Sequence, residues 1–227
     1  MRLATQLYIV PTPIGNLEDI TLRAIRVLKE VDLVLAEDTR QVSKLLNHLG
    51  IKTPVRPYHS HNEHHLAEKI AAELSAEAKN FALVSDAGTP GISDPGYLIV
   101  NKCLENSVKV ECLPGATAFV PALVESGLPA SSFCFEGFLP HQKGRIKKLN
   151  SLINETRTMI FYESPYRVIK ALDQFGDVFG KERKAAVSRE LTKIHAETIV
   201  STLGELAELF KTKTIKGEFV IIIDGKK

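Results

Sequence analysis

Acidic side chains lie beside a loop of unusual composition in the first half of this 227-residue chain. Asp86 is followed by three glycines and two prolines within residues 88–96, a stretch that also contains Asp94. Glycine permits positive φ and close approach to the backbone, whereas proline fixes φ and removes a donor. The composition predicts a shaped loop that can hold a ligand. An ordinary strand-to-helix turn needs fewer special residues and is the weaker interpretation.

Carboxylates at the ends of predicted strands are candidates for general-base chemistry, in which a positioned side chain accepts a proton. Glu37 and Asp38 directly follow the apolar run 31–36, and Glu190 occupies an analogous place in the second half. We predict Asp38 as the base, with Glu37 and Glu190 behind it. The alternative of equal weight is that Asp38 caps the helix that follows.

Several common sites are not supported by the sequence. The loop 86–96 matches neither G-x-G-x-x-G nor G-x-x-x-x-G-K-[ST], so NAD and nucleoside triphosphates are not the first expectation. His59, His61, His64 and His65 surround Glu63, but their spacing matches no zinc signature, and a solvated loop is the preferred interpretation. The three cysteines contain no C-x-x-C pair and are expected to pack as small hydrophobic residues.

Composition indicates a globular protein, with 44% hydrophobic and 25% charged residues. The net charge of +2 does not indicate a nucleic-acid partner, so any such signal must be local. The first apolar run ends at Pro11, too short for a signal-peptide core, and no apolar run approaches the length of a membrane span. We therefore expect a cytoplasmic protein, and no segment beyond the last predicted strand.

Strands and helices alternate in the first half. Apolar runs predict strands at 7–10, 31–36, 81–84 and 108–113, with helices at 42–49 and 66–74 between them. A further helix is expected to bury Leu22, Ile25 and Leu28, and another to bury an apolar face over 97–104. This order predicts a doubly wound, mostly parallel sheet.

The second half predicts a smaller mixed α+β domain. Its strands are expected at 133–138, 158–162, 184–188 and 219–223, with helices at 117–125 and 203–210, after the basic run at 143–148, and from about 163 to 175. The boundary is placed so that the two α/β domains comprise residues 1–115 and 116–227.

Seven motifs together resemble the tetrapyrrole methylase superfamily. They are VPTPIGN (10–16), AEDTR (36–40), DAGTPGISDPG (86–96), LPGATAFVPALVESGLP (113–129), FYESPYR (161–167), SRELTK (188–193) and KGEFVIII (216–223). The resemblance implies two α/β domains with S-adenosylmethionine in the cleft between them. It is strongest to the branch whose members methylate the ribose 2′-oxygen of a cytidine in the decoding region of 16S rRNA, and it implies a homodimer.

The resemblance also implies residue roles. The residues that resemble the cofactor-binding segments of the family are Pro13, Gly15, Asp86, Ala87, Gly88, Pro90, Pro114, Gly115, Ala116, Phe161, Tyr162, Glu163, Gly217 and Glu218. The positive groups expected to contact RNA in the small ribosomal subunit are Arg40, Lys44, Arg145, Lys147, Lys148, Arg167 and Arg189. For the run that contains Lys147, a solvated face is an equally weighted alternative. Two other functions stay open: a tetrapyrrole or precorrin methyltransferase, and a non-catalytic module that binds nucleotide derivatives.

Overall fold

A computed structural model describes residues 6–77 and 79–227. The chain divides between Thr117 and Ala118 into two units. The first contains five strands, β1 (Gln6–Ile9), β2 (Leu33–Ala36), β3 (Val55–Pro57), β4 (Asn80–Val84) and β5 (Lys109–Cys112). Its α-helices are α1 (Leu22–Glu30), α2 (Thr39–His48), α3 (Glu63–Glu77) and α4 (Tyr97–Glu105), and a 3-10 turn spans Leu17–Asp19.

The five strands form one sheet in the order β3-β2-β4-β1-β5, and every pairing is parallel. Successive residues of β1 point to opposite faces and are buried on both. Leu7 and Ile9 belong to one apolar cluster, and Tyr8 and Val10 belong to another. A parallel sheet buried on both faces explains why its central strands are nearly continuous apolar runs. The predicted doubly wound α/β architecture is confirmed.

The apolar face predicted for α1 was only partly correct. Leu28 is buried and Ile25 is half-buried against the same core, whereas Leu22 is 87% exposed. The cause is the start of the helix: the Thr21 side chain accepts a hydrogen bond from the backbone N–H of Ala24 at 3.0 Å. This cap makes Leu22 the first helical residue and directs it to solvent.

The face predicted for α4 was also only partly correct. Ile99 and Cys103 are buried, but Tyr97 is 75% exposed and Leu104 is 60% exposed. Residues at positions 99 and 103 are one turn apart and suffice to anchor a short helix. Tyr97 therefore has an aromatic side chain in solvent at the start of α4, directly after the glycine- and proline-rich loop 86–96.

The strand order contains a switch point, where the chain leaves two neighbouring strands toward opposite sides of the sheet. From β1 the chain crosses to β2 on one side, and from β4 it crosses to β5 on the other, although β1 and β4 are neighbours. In an open α/β sheet, ligands bind outside the carboxyl ends of the strands at such a switch point. The loops after β1 and β4, residues 10–16 and 85–96, both lie at this position.

The second unit contains the remaining five strands, β6 (Phe133–Phe138), β7 (Thr158–Glu163), β8 (Lys184–Arg189), β9 (Glu197–Thr202) and β10 (Phe219–Ile223). They form a mixed sheet in the order β6-β7-β10-β8-β9, in which only β6 and β7 pair in parallel. The helices are α5 (Phe119–Glu125), α6 (Arg145–Ser151), α7 (Val168–Phe179) and α8 (Leu203–Thr212). Apolar residues of the last three helices form one core with the sheet.

Two strands, β3 and β9, were absent from the sequence prediction. Both are edge strands, and neither contains a buried residue. An edge strand needs no apolar run, because one side of its backbone is unpaired and its side chains are partly solvated. Within the described chain, no helix combines the length and apolar character needed to span a bilayer.

Candidate active site at the carboxyl ends of the parallel strands

The loops after β1 and β4 are joined by backbone hydrogen bonds. Thr12 and Gly88 each donate an N–H to the carbonyl oxygen of the other at 2.9 Å. The Thr12 hydroxyl also donates to the carbonyl oxygen of Ser85 at 3.0 Å. Because Thr12 and Ser85 are buried, these bonds are shielded from water, and the two loops form one rigid edge.

The loop after β5 is fixed to the same edge. The Thr89 hydroxyl donates to the carbonyl oxygen of Ala116 at 2.9 Å. A Cβ atom at Gly115 would lie 2.6 Å from the Cβ of Pro11, so the absence of a side chain lets the backbone pack on that proline. Gly88 has φ +83°, a conformation that favours glycine. Gly115 is therefore required by the packing of the loops and Gly88 by its positive φ, rather than by open space for a ligand, as the sequence had suggested.

The predicted cofactor residues of the first unit all lie on these three loops. The side chains differ in exposure: Pro90 and Gly88 are buried, whereas Asp86 is exposed. The other members of the set are at least partly accessible, namely Pro13, Gly15, Ala87, Pro114, Gly115 and Ala116. The edge thus presents a backbone surface with one exposed carboxylate.

The carboxylate of Asp86 links this edge to the end of β2. Its Oδ1 accepts a hydrogen bond from the backbone N–H of Asp38 at 3.1 Å. This hydrogen bond brings Asp86 next to Asp38 and its neighbour Glu37, although Asp38 and Asp86 are 48 residues apart in the sequence. The sequence placed all three at strand ends, but their contact follows from the adjacency of β2 and β4 in the sheet.

Asp38 is engaged as a structural group. Its carboxylate caps α2 by accepting the backbone N–H of Arg40 at 2.9 Å, and it receives Nε and Nη2 of the same arginine at 3.0 and 2.7 Å. These hydrogen bonds lower the pKa of Asp38 to about 2. A carboxylate stabilised in its charged form is a weak proton acceptor. This arrangement realises the helix-cap alternative and makes Asp38 a poor choice of base.

Glu37 has the opposite environment. It is half-buried, and burial together with the negative charge of Asp86 raises its pKa above the ordinary value. Both effects disfavour the charged form and strengthen the carboxylate as a proton acceptor. Of the two neighbouring carboxylates, Glu37 is therefore the better candidate for a general base.

Glu37 also lines a cavity of about 450 Å³ in the first unit. The cavity lies between the start of α3 and the loop that leads into α4, and it includes Ser60, Glu63, His64, Asp94 and Tyr97. The sequence predicted a solvated loop and helix start for Glu63 and His64, with a metal site as the weaker alternative. Among the residues that the structure describes, no group of three histidine, cysteine or acidic side chains could hold a metal ion.

The predicted cofactor residues on β7 point alternately to its two faces, and their exposure differs accordingly. The ring of Phe161 is fully buried against Phe175, with ring centroids 4.8 Å apart, so it belongs to the core and lines no open site. Tyr162, on the opposite face of β7, is half-buried and packs on Phe135 and Phe138. Glu163 is 3% exposed and forms ion pairs with two arginines. Of these three predicted contacts, only the Tyr162 side chain retains an accessible surface.

Glu190, Gly217 and Glu218 form a local cluster in the second unit. Oε1 of Glu190 accepts the backbone N–H of Glu218 at 3.0 Å and an ion pair from Lys193 at 2.8 Å. A Cβ atom at Gly217 would overlap the Glu190 carboxylate, which explains the glycine. Burial acts to raise the pKa of Glu190, but these two hydrogen bonds outweigh it and lower the pKa. Glu190 is therefore less suited than Glu37 to accept a proton.

The predicted RNA-binding cations are not equally available. Arg145 is buried, and its guanidinium donates to Glu163 at 3.0 Å and to Gln174 at 2.8 Å, so it presents no surface to a phosphate. Arg167 also pairs with Glu163, and Lys148 pairs with Glu136. Arg189 pairs with Glu197 and donates to the carbonyl oxygen of Thr214. Exposed side chains remain at Arg40, Lys44 and Lys147.

The first unit is a parallel α/β sheet of the type that binds ligands at the carboxyl ends of its strands, and the second unit contains a mixed sheet. Residues 6–207 match the family described as Tetrapyrrole (Corrin/Porphyrin) Methylases. The chain belongs to that family, and the resemblance predicted from the motifs is confirmed.

Particular relatives narrow the comparison. The chain is 48% identical to "Ribosomal RNA small subunit methyltransferase I" of Escherichia coli O157:H7, over 98% of this chain and 78% of the relative. It is 43% identical to the protein of the same name from Thermotoga maritima, over 98% of this chain and 99% of the relative. A solved structure of uroporphyrin-III C-methyltransferase from Thermus thermophilus, complexed with S-adenosylhomocysteine, has a TM-score of 0.65, with 96% of each chain covered and 22% identity. At that identity, the structure supports the shared fold alone.

Proposed function

We propose that this protein transfers a methyl group from S-adenosylmethionine to the ribose 2′-oxygen of a cytidine in the 16S rRNA of the small ribosomal subunit. The observation that carries the proposal is 48% identity over 98% of the chain to a relative named as a small-subunit rRNA methyltransferase. The alternative, methylation of a tetrapyrrole, draws on solved structures at 22% identity or less, such as the one described above. A non-catalytic binding module would not require a carboxylate whose pKa is raised, as the pKa of Glu37 is.

The three loops at the switch point fit the proposed cofactor. Their backbone is exposed at Gly15 and Gly115, and Asp86 adds an exposed carboxylate that complements a cationic ligand. Residues 13–15, 86–90 and 114–116 would hold the cofactor, which supplies a methyl group on an already activated sulfonium. In the second unit, Tyr162, Gly217 and Glu218 remain candidates for further contacts. We assign the domains to 1–115 and 116–227 as part of this proposal.

The protein itself must align the 2′-oxygen and accept its proton. Positioning of reacting groups can contribute roughly 7–11 kcal/mol. A placed base adds about 10²–10⁴ in rate. We assign the base to Glu37, because its pKa is raised by burial and by Asp86. Asp38, the residue that the sequence favoured, holds Arg40 and the start of α2 instead.

Recognition of the RNA would depend on the exposed cations. Arg40 and Lys44 are four residues apart on α2, which places them on the same face of that helix. Lys147 is the exposed member of the basic run in the second unit. A homodimeric assembly, implied by the resemblance, belongs to the same proposal. So does a cytoplasmic location, which was expected because no apolar run is long enough for a signal-peptide core or a membrane span.

Mass spectrometry of rRNA provides the test. Small ribosomal subunits from a strain lacking this protein are incubated with the purified protein and S-adenosylmethionine, and the 16S rRNA is digested to nucleosides. We expect one additional 2′-O-methylcytidine per subunit, absent without protein or cofactor. Methylation of a base, or of no nucleoside while a tetrapyrrole is methylated, would overturn the proposal.

A further inference from the structure

The cavity that Glu37 lines is not formed by the residues proposed to hold the cofactor. Its volume of about 450 Å³ falls within the range of roughly 300–1,000 Å³ for small-molecule sites. It is formed by Ser60, Glu63 and His64 on one side and by Asp94 and Tyr97 on the other. Gly88 and Ala116, which belong to the packed loop edge, are not among its lining residues.

The charges of the lining favour a ligand that donates hydrogen bonds. Glu37, Glu63 and Asp94 contribute carboxylates, and no lysine or arginine of the described chain lines the cavity. Carboxylates accept hydrogen bonds and repel phosphate. An exocyclic amine, such as the N4 amine of cytosine, is the nucleobase group that a glutamate or aspartate recognises.

The rim of the cavity carries an aromatic side chain in solvent. Tyr97 is 75% exposed at the first position of α4, in contrast to Ile99 and Cys103, which anchor that helix in the core. Proteins that recognise unpaired nucleotides stack the bases on exposed aromatic rings. Enzymes that do chemistry on a base within a structured nucleic acid extrude that base into a pocket and read its Watson–Crick edge.

We propose that this cavity receives the target nucleobase, which stacks on Tyr97 and donates its exocyclic amine to Glu63 or Asp94. Glu37 lines the same cavity, so a base bound there brings its own ribose within reach of the residue assigned as the base. The inference rests on the proposed function. It adds the residues whose carboxylates would select cytosine, which carries an exocyclic amine, over uracil, which does not.

The test compares methyl transfer to two substrates that differ in one group. Small subunits are reconstituted with 16S rRNA that carries cytidine or uridine at the mapped target position. We expect Tyr97→Ala to lower kcat/KM for the cytidine substrate about tenfold or more, and Tyr97→Phe to restore it, because stacking needs the ring alone. Glu63→Gln should reduce the preference for cytidine over uridine by about tenfold, because an amide can also donate to the uracil oxygen.

Two control positions lie on α4, the helix that begins with Tyr97, but outside the cavity. Leu104→Ala removes an exposed apolar side chain from α4, and Glu105→Gln removes a carboxylate from its last residue. Both should methylate like wild type, and all variants should bind S-adenosylhomocysteine normally in calorimetry. If wild type methylates the cytidine and both Tyr97→Ala and Glu63→Gln match the controls, the base-pocket inference is overturned and the proposed function stands. If wild type methylates no rRNA, the proposed function fails, and the inference fails with it.

Discussion

The two units place charged side chains in opposite surroundings. In the first unit, Glu37 and Asp86 lie half-buried or exposed at the edge of a parallel sheet, where their charges remain accessible. In the second, Glu163 and Arg145 are buried and pair with each other at 3.0 Å. Glu163 is the last residue of β7, so in the sequence it resembles Glu37, which directly follows β2. Charges at the switch point are available for chemistry, whereas charges enclosed by helices maintain structure.

The largest expected effect concerns the buried pair. Glu163→Ala leaves the guanidinium of Arg145 buried without a counter-ion, and we expect a loss of about 3–5 kcal/mol in the free energy of unfolding. Urea denaturation of the full chain measures it. The matched control is Glu208→Ala, which removes an exposed partner of Lys211 and should cost less than about 1 kcal/mol. Equal losses in the two variants would show that Glu163 is not a structural anchor.

The next effect tests the open carboxylates. Glu37→Gln keeps the shape of the side chain but cannot accept the proton, so kcat should fall about 100-fold or more in single-turnover methylation, while affinity for S-adenosylhomocysteine is retained. Asp38→Asn preserves a capping residue and should reduce kcat by less than about threefold. The reverse pattern would return the role of base to Asp38.

The pH dependence of the same reaction follows from the raised pKa of Glu37. A base acts only when ionised, so the rate should be constant above the pKa of Glu37 and should fall as the pH is lowered through it. Burial and the charge of Asp86 move that fall to a higher pH than an ordinary glutamate would give. Asp86→Asn removes the repulsion and should shift the fall to lower pH. An unchanged profile in this variant would exclude coupling between the two carboxylates.

The sequence predicted the first unit well because its central strands are buried on both faces and are therefore apolar runs. It missed β3 and β9, whose edge positions require no such run. Glycine and proline revealed the loops at the switch point. The sequence predicted the helix-cap role of Asp38 only as an alternative of equal weight to the base, because it does not show which hydrogen bonds the carboxylate forms. The burial of Arg145 could not be predicted, since its partners lie 18 and 29 positions away. Tyr97 was assigned to an apolar face, because periodicity alone cannot show which side of a short helix is covered.

A smaller effect is expected at the packed loop edge. Gly115→Ala places a Cβ atom 2.6 Å from that of Pro11, and the resulting shift should cost about 1–3 kcal/mol and weaken cofactor binding. Thermal unfolding and calorimetry measure the two consequences. Gly176→Ala is the matched control: it lies within α7, where a Cβ atom would meet Lys181 at an ordinary 3.5 Å. This control should be neutral or stabilising by up to about 1 kcal/mol, and a neutral Gly115→Ala would mean that the loop adapts.

The smallest effect concerns the basic run, where the structure separates neighbours that look equivalent in the sequence. Arg145 is buried and Lys148 pairs with Glu136. Of these three cations, Lys147 is therefore the one whose exposed side chain is available to a phosphate. If Lys147 contacts a phosphate, affinity for the small subunit should depend on salt, with a log–log slope of about −0.7 to −0.9 for each phosphate neutralised. Lys147→Ala should therefore make the slope shallower by about that amount.

Filter-binding titrations over a range of salt concentrations measure this slope for each variant. Lys148→Ala, which removes a cation already neutralised by Glu136, serves as the control and should change the slope less than Lys147→Ala. Arg40→Ala tests the corresponding exposed position in the first unit, where the guanidinium is 86% exposed although it pairs with Asp38. A shallower slope in Arg40→Ala together with an unchanged slope in Lys147→Ala would confine RNA contact to the unit that carries the open carboxylates. Lys147 would then be part of a solvated face.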